Sequence, residues 1–374
     1  MEKSKMKKIL SLAVALALLG TSVATAAAPL AGMPPLIDQN DIYAADRPNQ
    51  LSDVVKNFPE IAYVPNHTSN TLTEIDIKTK KIIASYPMKK GPQHVVPSWD
   101  LKTLWVNNNE GNYLTPINPA NGKPGKPIYV HDPYNLYFTP NGKYAIVMAE
   151  ADKQLVFRDP HTMAIKKKVN VNCRGLNHAD WTRDGNYFVA TCEFSGQLIW
   201  VNTAKMKVEK YATIPRNKAP NTPMPQDVKI SPDGKTFYVA DMMSNGVWTM
   251  PADNFGKFGF IPTGLEAHGL YVTRDSQFMV ITNRGEGSVS ILRFSDNKIV
   301  TKMKIPGGGS PDMGGITADG KEFWVSGRFD NVVYIFDLEK RIFLKKIKVG
   351  KEPHGIAVYP QPGRYSLGHT GILR

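Results

Sequence analysis

Residues 178–202 read HADWTRDGNYFVATCEFSGQLIWVN, and this stretch decides the fold. It predicts a short strand at 178–182, a turn at Arg183-Asp184-Gly185, a strand at 187–192, a loop at 193–196 and a third strand at 197–201. Asp tolerates the tight geometry of the turn, and Gly takes positive φ without steric cost. The strand positions carry the aromatic and β-branched residues that a half-buried pleated surface prefers.

The same unit recurs along the chain. Related copies occupy 61–76, 103–118, 144–159, 236–251, 278–293 and 322–337, which makes seven with 187–202. Turns such as Pro140-Asn141-Gly142, Pro232-Asp233-Gly234 and Ala318-Asp319-Gly320 precede them at a spacing of about 41 to 49 residues, near the period of a propeller blade. Each hairpin is followed by a basic outer strand, as at 81–86, 165–171 and 343–349. Four strands in each of seven repeats predict an all-β, seven-bladed β-propeller, because such repeats bury their faces only against one another. The first repeat lacks its innermost strand, and residues 354–359 supply an extra copy after the last. The C-terminal segment is therefore expected to complete the first blade and remove an exposed sheet edge.

The remaining boundaries follow. Lys3, Lys5, Lys7 and Lys8 precede an apolar run at 9–19 and an Ala24-Thr25-Ala26 cleavage site. Residues 1–26 are thus expected to be a signal peptide, which implies secretion or attachment to the cell envelope, and the run is too short to span a membrane. Residues 27–57 read as a linker with one helical turn near 52–56, residues 58–360 as the propeller, and 361–374 as a tail outside the repeats. The chain carries +13, of which the leader supplies four lysines against Glu2, leaving about +10. Dispersed lysines without interleaved aromatics do not form a nucleic-acid stripe; weak adhesion to an anionic envelope is the partner class they suit. An unidentified protein, polymer or small ligand is the other expected partner.

The repeats carry Tyr63-Val64-Pro65-Asn66, Trp105-Val106-Asn107-Asn108, Tyr238-Val239-Ala240-Asp241 and Val280-Ile281-Thr282-Asn283, with Pro353-His354-Gly355 ahead of the closing strand. In these motifs the chain resembles the YVTN family of bacterial β-propellers over about residues 58–360. The family is similar in fold to surface-layer propellers, to lactonase-like propellers and to the cofactor-bearing propellers of nitrite and nitrous oxide reductases. The resemblance implies the fold and leaves the activity open.

In a propeller the loops into the innermost strands and the loops joining second and third strands ring one mouth of the channel. The first set holds His94, Asn135, His178, Asp227, His268, Asp312 and His354; the second holds Asn66, Asn107, Glu150, Glu193, Asp241, Asn283, Arg284 and Arg328. Four of the eight histidines sit there. Their imidazoles suit a transition metal or an axial ligand to a haem; the other role open to them is hydrogen bonding to loop backbone. The carboxylates could hold calcium or activate water for lactonase-like hydrolysis, or serve as turn caps and partners for Arg284 and Arg328. Cys173 and Cys192, the only cysteines, are expected to form a disulfide in an exported protein; the alternative is metal ligation, with Met242, Met243 or Met313 as soft donors. The absence of a catalytic motif puts a binding or scaffolding module using the polar mouth first, a metal- or haem-dependent redox protein or carrier second and a lactonase-like hydrolase third.

Overall fold

Seven antiparallel sheets follow one another around a central channel in the computed structural model, which describes residues 28–216, 221–369 and 372–374. The expected signal peptide lies outside the described residues. Residues 178–202 belong to the fourth blade, with strands Leu176–Trp181, Tyr187–Cys192, Gln197–Asn202 and Lys207–Thr213. Its inner three strands are almost wholly buried and the outer one is exposed, so the lysines of the outer strands face solvent. The hydrophobic clusters lie between adjacent blades: Tyr137, Ile146 and Met148 of the third pack against Trp181, Phe188 and Ala190 of the fourth. Fully burying side chains of this size stabilises by about 1.5–3 kcal/mol each, and no blade can do so alone.

The ring closes as the repeat count requires. Ala357–Tyr359 adds to the first blade, with Ala357 opposite Tyr63 and Tyr359 opposite Ile61. The chain does not stop there. Of residues 361–374, expected as a tail outside the repeats, the described 361–369 and 372–374 turn back into the channel. Ser366–Gly368 joins the inner edge of the third blade through Gly368 and Tyr137, and Ile372–Leu373 pairs back on it. Gly368 has φ +119°, and a Cβ there would lie 2.5 Å from the carbonyl oxygen of Leu136. Only glycine permits that approach. Tyr365, Leu367, Ile372 and Leu373 are buried by it.

Residues 28–57, expected as a linker, strap the opposite end of the ring. Backbone amides of Leu30, Ile42 and Asn49 bond to carbonyls of Asp184, Pro232 and Ala318, in the turns of the fourth, fifth and seventh blades. A single 3-10 turn spans Ala44–Asp46, and the expected turn near 52–56 is present as bonds from Val55 and Lys56 amides to the Ser52 carbonyl. The strap and tail meet where the Arg374 guanidinium stacks on Tyr43 at 4.3 Å. Among the described residues no helix is long and apolar enough to cross a membrane.

Cys173 and Cys192 form a disulfide across 19 residues. Closing a loop of that size stabilises by about 3 kcal/mol. It fixes the loop that leads to His178.

Candidate metal centre in the channel

A β-bulge at five of the seven inner strands aims polar residues into the channel. The ladder between first and second strands shifts register between Pro92 and His94, Leu176 and Ala179, Pro225 and Val228, Ala267 and Leu270, and Pro311 and Gly314. A bulge leaves residues unpaired and re-aims their side chains. The freed amides are satisfied by hydroxyls of the second strands: His178 N–H donates to Thr191 Oγ1 (3.0 Å), Gly269 N–H to Thr282 Oγ1 (2.7 Å) and Met313 N–H to Ser326 Oγ (3.2 Å). Two successive positions at the entry to each inner strand, bulged or not, line the channel in two layers. His268, Asp312 and His354 occupy the first position, together with Gln93, Asn177 and Gln226. His94, His178 and Asp227 occupy the second, with Asn135 and Met313. No histidine among these is more than 3% exposed.

The first layer centres on Asp312. His268 Nδ1 lies 3.0 Å from Asp312 Oδ1, and His354 Nε2 lies 3.2 Å from Oδ2. Ligand atoms of these three residues all fall within 4.8 Å of one another, and among the described residues no other set of three His, Cys, Asp or Glu does so. Arg284 Nη1 and Arg328 Nη1 stand 3.5 and 3.6 Å from the same carboxylate. Burial raises the Asp312 carboxyl, but His268 first and then the Arg284 and Arg328 charges outweigh it and hold the carboxyl below the usual range. His268 Nδ1 is also 3.1 Å from Met313 Sδ.

The second layer contains more imidazoles than the sequence revealed. The tail places His369 against His94 and His178, with ring centres 4.3 and 4.5 Å apart, and His94 is 4.7 Å from His354. Among the described residues, neither nitrogen of His94 or of His369 has a hydrogen-bond partner. Gly355 makes room for His94, because a Cβ there would meet its Nδ1 at 2.2 Å. The alternation Tyr365, Leu367 against Ser366, Gly368 was the sequence signal for this added strand, and the two prolines before it hid it.

All five imidazoles are held neutral. Burial, then the Arg328 charge, lowers His94 to about 3. Burial likewise takes His268 to about 3, with Asp312 opposing and Arg284 and Arg328 assisting. His178, His354 and His369 are also pushed well down, burial being the main cause in each. The folded protein therefore binds fewer protons than the unfolded chain below the ordinary histidine value of 6.5. Their stabilising contribution is complete above about pH 6.5 and is lost as pH falls towards 3. Metal-free protein is expected to unfold cooperatively on acidification across this window, losing about 1.4 kcal/mol per pH unit for each buried histidine. Urea denaturation between pH 7 and 4 measures this; a flat profile would mean the imidazoles are charged or solvated.

The other expected site residues divide clearly. Asp241 accepts bonds from the amides of Met224 and Met243, from Ser244 Oγ and from Trp248 Nε1, at 2.8–3.0 Å. Asp227 is held by Lys229 Nζ at 3.0 Å and by the amides of Val228 and Leu270; it pairs with this lysine, not with Arg284 or Arg328. Asn66 bonds Thr71 and Thr73, and Asn107 the carbonyl of Pro133. Asn283 bonds Ser288 and Ser290. These side chains tie loops and strands together. Asn135 lies 3.4 Å from His178 Nδ1 and belongs to the second layer. At the mouth, Glu193 bonds Asn177 at 3.1 Å. Burial first, then Glu193, raises Glu150 to about 7. Arg328 also pairs with Glu352, and Arg284 with Glu266.

Residues 130–363 match the YNCE-like beta-propeller family, and the chain belongs to it. No curated protein matches the chain. Solved structures similar to it include Kuenenia stuttgartiensis hydrazine synthase (17% identity, TM-score 0.59, 71% of this chain and 88% of that one). They also include the dihydro-heme d1 dehydrogenase NirN in complex with DHE (13%, 0.62, 88% and 78%) and the Pseudomonas aeruginosa periplasmic gluconolactonase PpgL (14%, 0.66, 81% and 99%). At these identities the likeness is one of fold.

Proposed function

We propose that this is an exported metal-binding propeller that holds one transition-metal ion in its channel on His268, Asp312 and His354. One observation carries the reading. His354 Nδ1 lies 3.1 Å from the carbonyl oxygen of Gln93, so this nitrogen bears the proton. In the neutral ring Nε2 then presents a lone pair to Asp312 Oδ2 at 3.2 Å. Two acceptors facing each other in a buried site repel unless a cation lies between them. A backbone carbonyl behind the distal nitrogen is also the usual support of a metal-bound histidine. Two imidazoles and a carboxylate suit iron(II), zinc or copper(II). Burial of all three ligands favours a held ion over turnover of an organic substrate.

Neither enzyme suggested by the fold neighbours fits as well. A haem needs open space over an imidazole nitrogen, whereas these rings are buried and His369 packs 4.3 and 4.5 Å from its second-layer neighbours. For lactone hydrolysis, Asp227 and Asp241 are already committed to lysine, backbone and tryptophan partners.

Protein prepared by export and saturated with zinc is expected to retain at least one equivalent per chain after dialysis, and His354→Ala to lose one. Elemental analysis of both measures this; metal-free wild type after zinc loading would overturn the reading.

The binding-module reading keeps one specific observation. Phe329 is exposed at the mouth, with the guanidinium carbons of Arg284 and Arg328 at 5.5 and 6.0 Å from its ring. Such a rim suits an aromatic carboxylate. Titration with benzoate should shift NMR signals of this loop in wild type and not in Phe329→Ala; equal shifts in both would remove the reading.

A further inference from the structure

We propose that His94, His178 and His369 form a second transition-metal site, completed only when the C-terminal segment enters the channel. It stands on a different layer of side chains from the first site and does not require that site to be filled. Three independent elements bring the imidazoles together: the bulges of the second and fourth blades, and the strand Ser366–Gly368. Their ring centres are separated by 4.3, 4.5 and 6.2 Å. A tetrahedral ion with metal–nitrogen bonds of about 2.0–2.1 Å holds imidazole centres roughly 5 Å apart. One nitrogen from each of the three does not yet lie within 4.8 Å of the others, so a common ion would draw the rings inward and rotate them.

The chemistry of the surroundings points the same way. Buried polar groups are nearly always hydrogen-bonded, yet His94 and His369 leave four buried ring nitrogens without a partner among the described residues. An apolar aromatic would fill the same space without that cost, so the nitrogens need another explanation. His178 has acceptors behind it: its Nδ1 faces Tyr137 Oη at 3.4 Å and Asp227 Oδ1 at 3.9 Å. Glycine at position 355 gives His94 its place. Neutral rings are the form a metal binds, and burial keeps all three neutral. An all-nitrogen donor set selects zinc, copper or nickel over calcium or magnesium.

This makes the tail a metal-linked latch. An ion bound to His369 favours the docked tail by mass action, and Gly368 sets the close contact that delivers the histidine.

Zinc binding by the full-length protein tests the assignment. Wild type is expected to bind two equivalents, His369→Leu one, His268→Ala one, and the double variant none. Leucine keeps the buried volume, and His94→Gln provides a second variant should His369→Leu fail to fold. Histidine-selective ¹⁵N NMR of wild type needs no substitution: the ring signals of His94, His178 and His369 should shift with one of the two equivalents. One equivalent in wild type, unchanged in His369→Leu and with those ring signals unmoved, would overturn this site while leaving the first intact. No bound zinc in wild type would overturn both.

Discussion

Asp312→Ala is expected to lower the unfolding free energy by about 3–5 kcal/mol and to abolish metal binding by the first layer. The carboxylate is fully buried and is the shared counter-charge of Arg284 and Arg328. Each arginine keeps one further partner, Glu266 and Glu352, on the rim of the mouth. Those rim pairs are partly solvated and contribute little, so they cannot replace the central charge. Removing Asp312 leaves two guanidinium groups facing one another without their shared counter-charge. Asp312→Asn preserves shape and still removes the charge, so its loss should approach that of alanine. Equilibrium denaturation of the metal-free proteins separates this from the metal effect. A loss under 1 kcal/mol in both variants would show that solvent reaches the channel.

Arg374→Ala is the second large effect. Its guanidinium lies 2.8 Å from Asp180 Oδ1 in a pair with almost no exposure, and it stacks on Tyr43 of the N-terminal strap. Asp180 also accepts the amide of Ile230 at 2.9 Å, so the carboxylate ties the fourth blade to the fifth. Truncating the arginine strands a buried carboxylate, which costs about 3–5 kcal/mol. It also loosens the tail that carries His369. Hydrogen exchange at Ser366, Leu367 and Gly368 should therefore accelerate more than exchange in the outer strands. Unchanged protection of the tail, with stability intact, would contradict its role as an anchored strand.

The blades were legible because the signals that make them are local. Gly185 and Gly234 mark turns, alternation marks strands, and seven copies mark closure; the missing first strand told where Ala357–Tyr359 had to go. The histidine positions were legible for the same reason, since the bulge residues sit at a fixed offset from the turns. What could not be read was which side chain meets which across the channel. Asp227 and Asp312 occupy similar loops in sequence, yet the nearby Lys229 claims the first and leaves the second to the histidines. His369 escaped notice because its strand is only three residues long and lies beyond two prolines. Its placement depends on contacts with blades more than 200 residues earlier, which no local pattern encodes.

The central claim is that a cation lies between His354 and Asp312. Crystals of wild-type protein grown with zinc, measured on both sides of the zinc absorption edge, test it most directly. An anomalous peak about 2.0–2.2 Å from nitrogens of His268 and His354 and from an oxygen of Asp312 is the predicted result. The contradicting result is no peak there, with His354 protonated on both nitrogens and paired to Asp312 as an imidazolium.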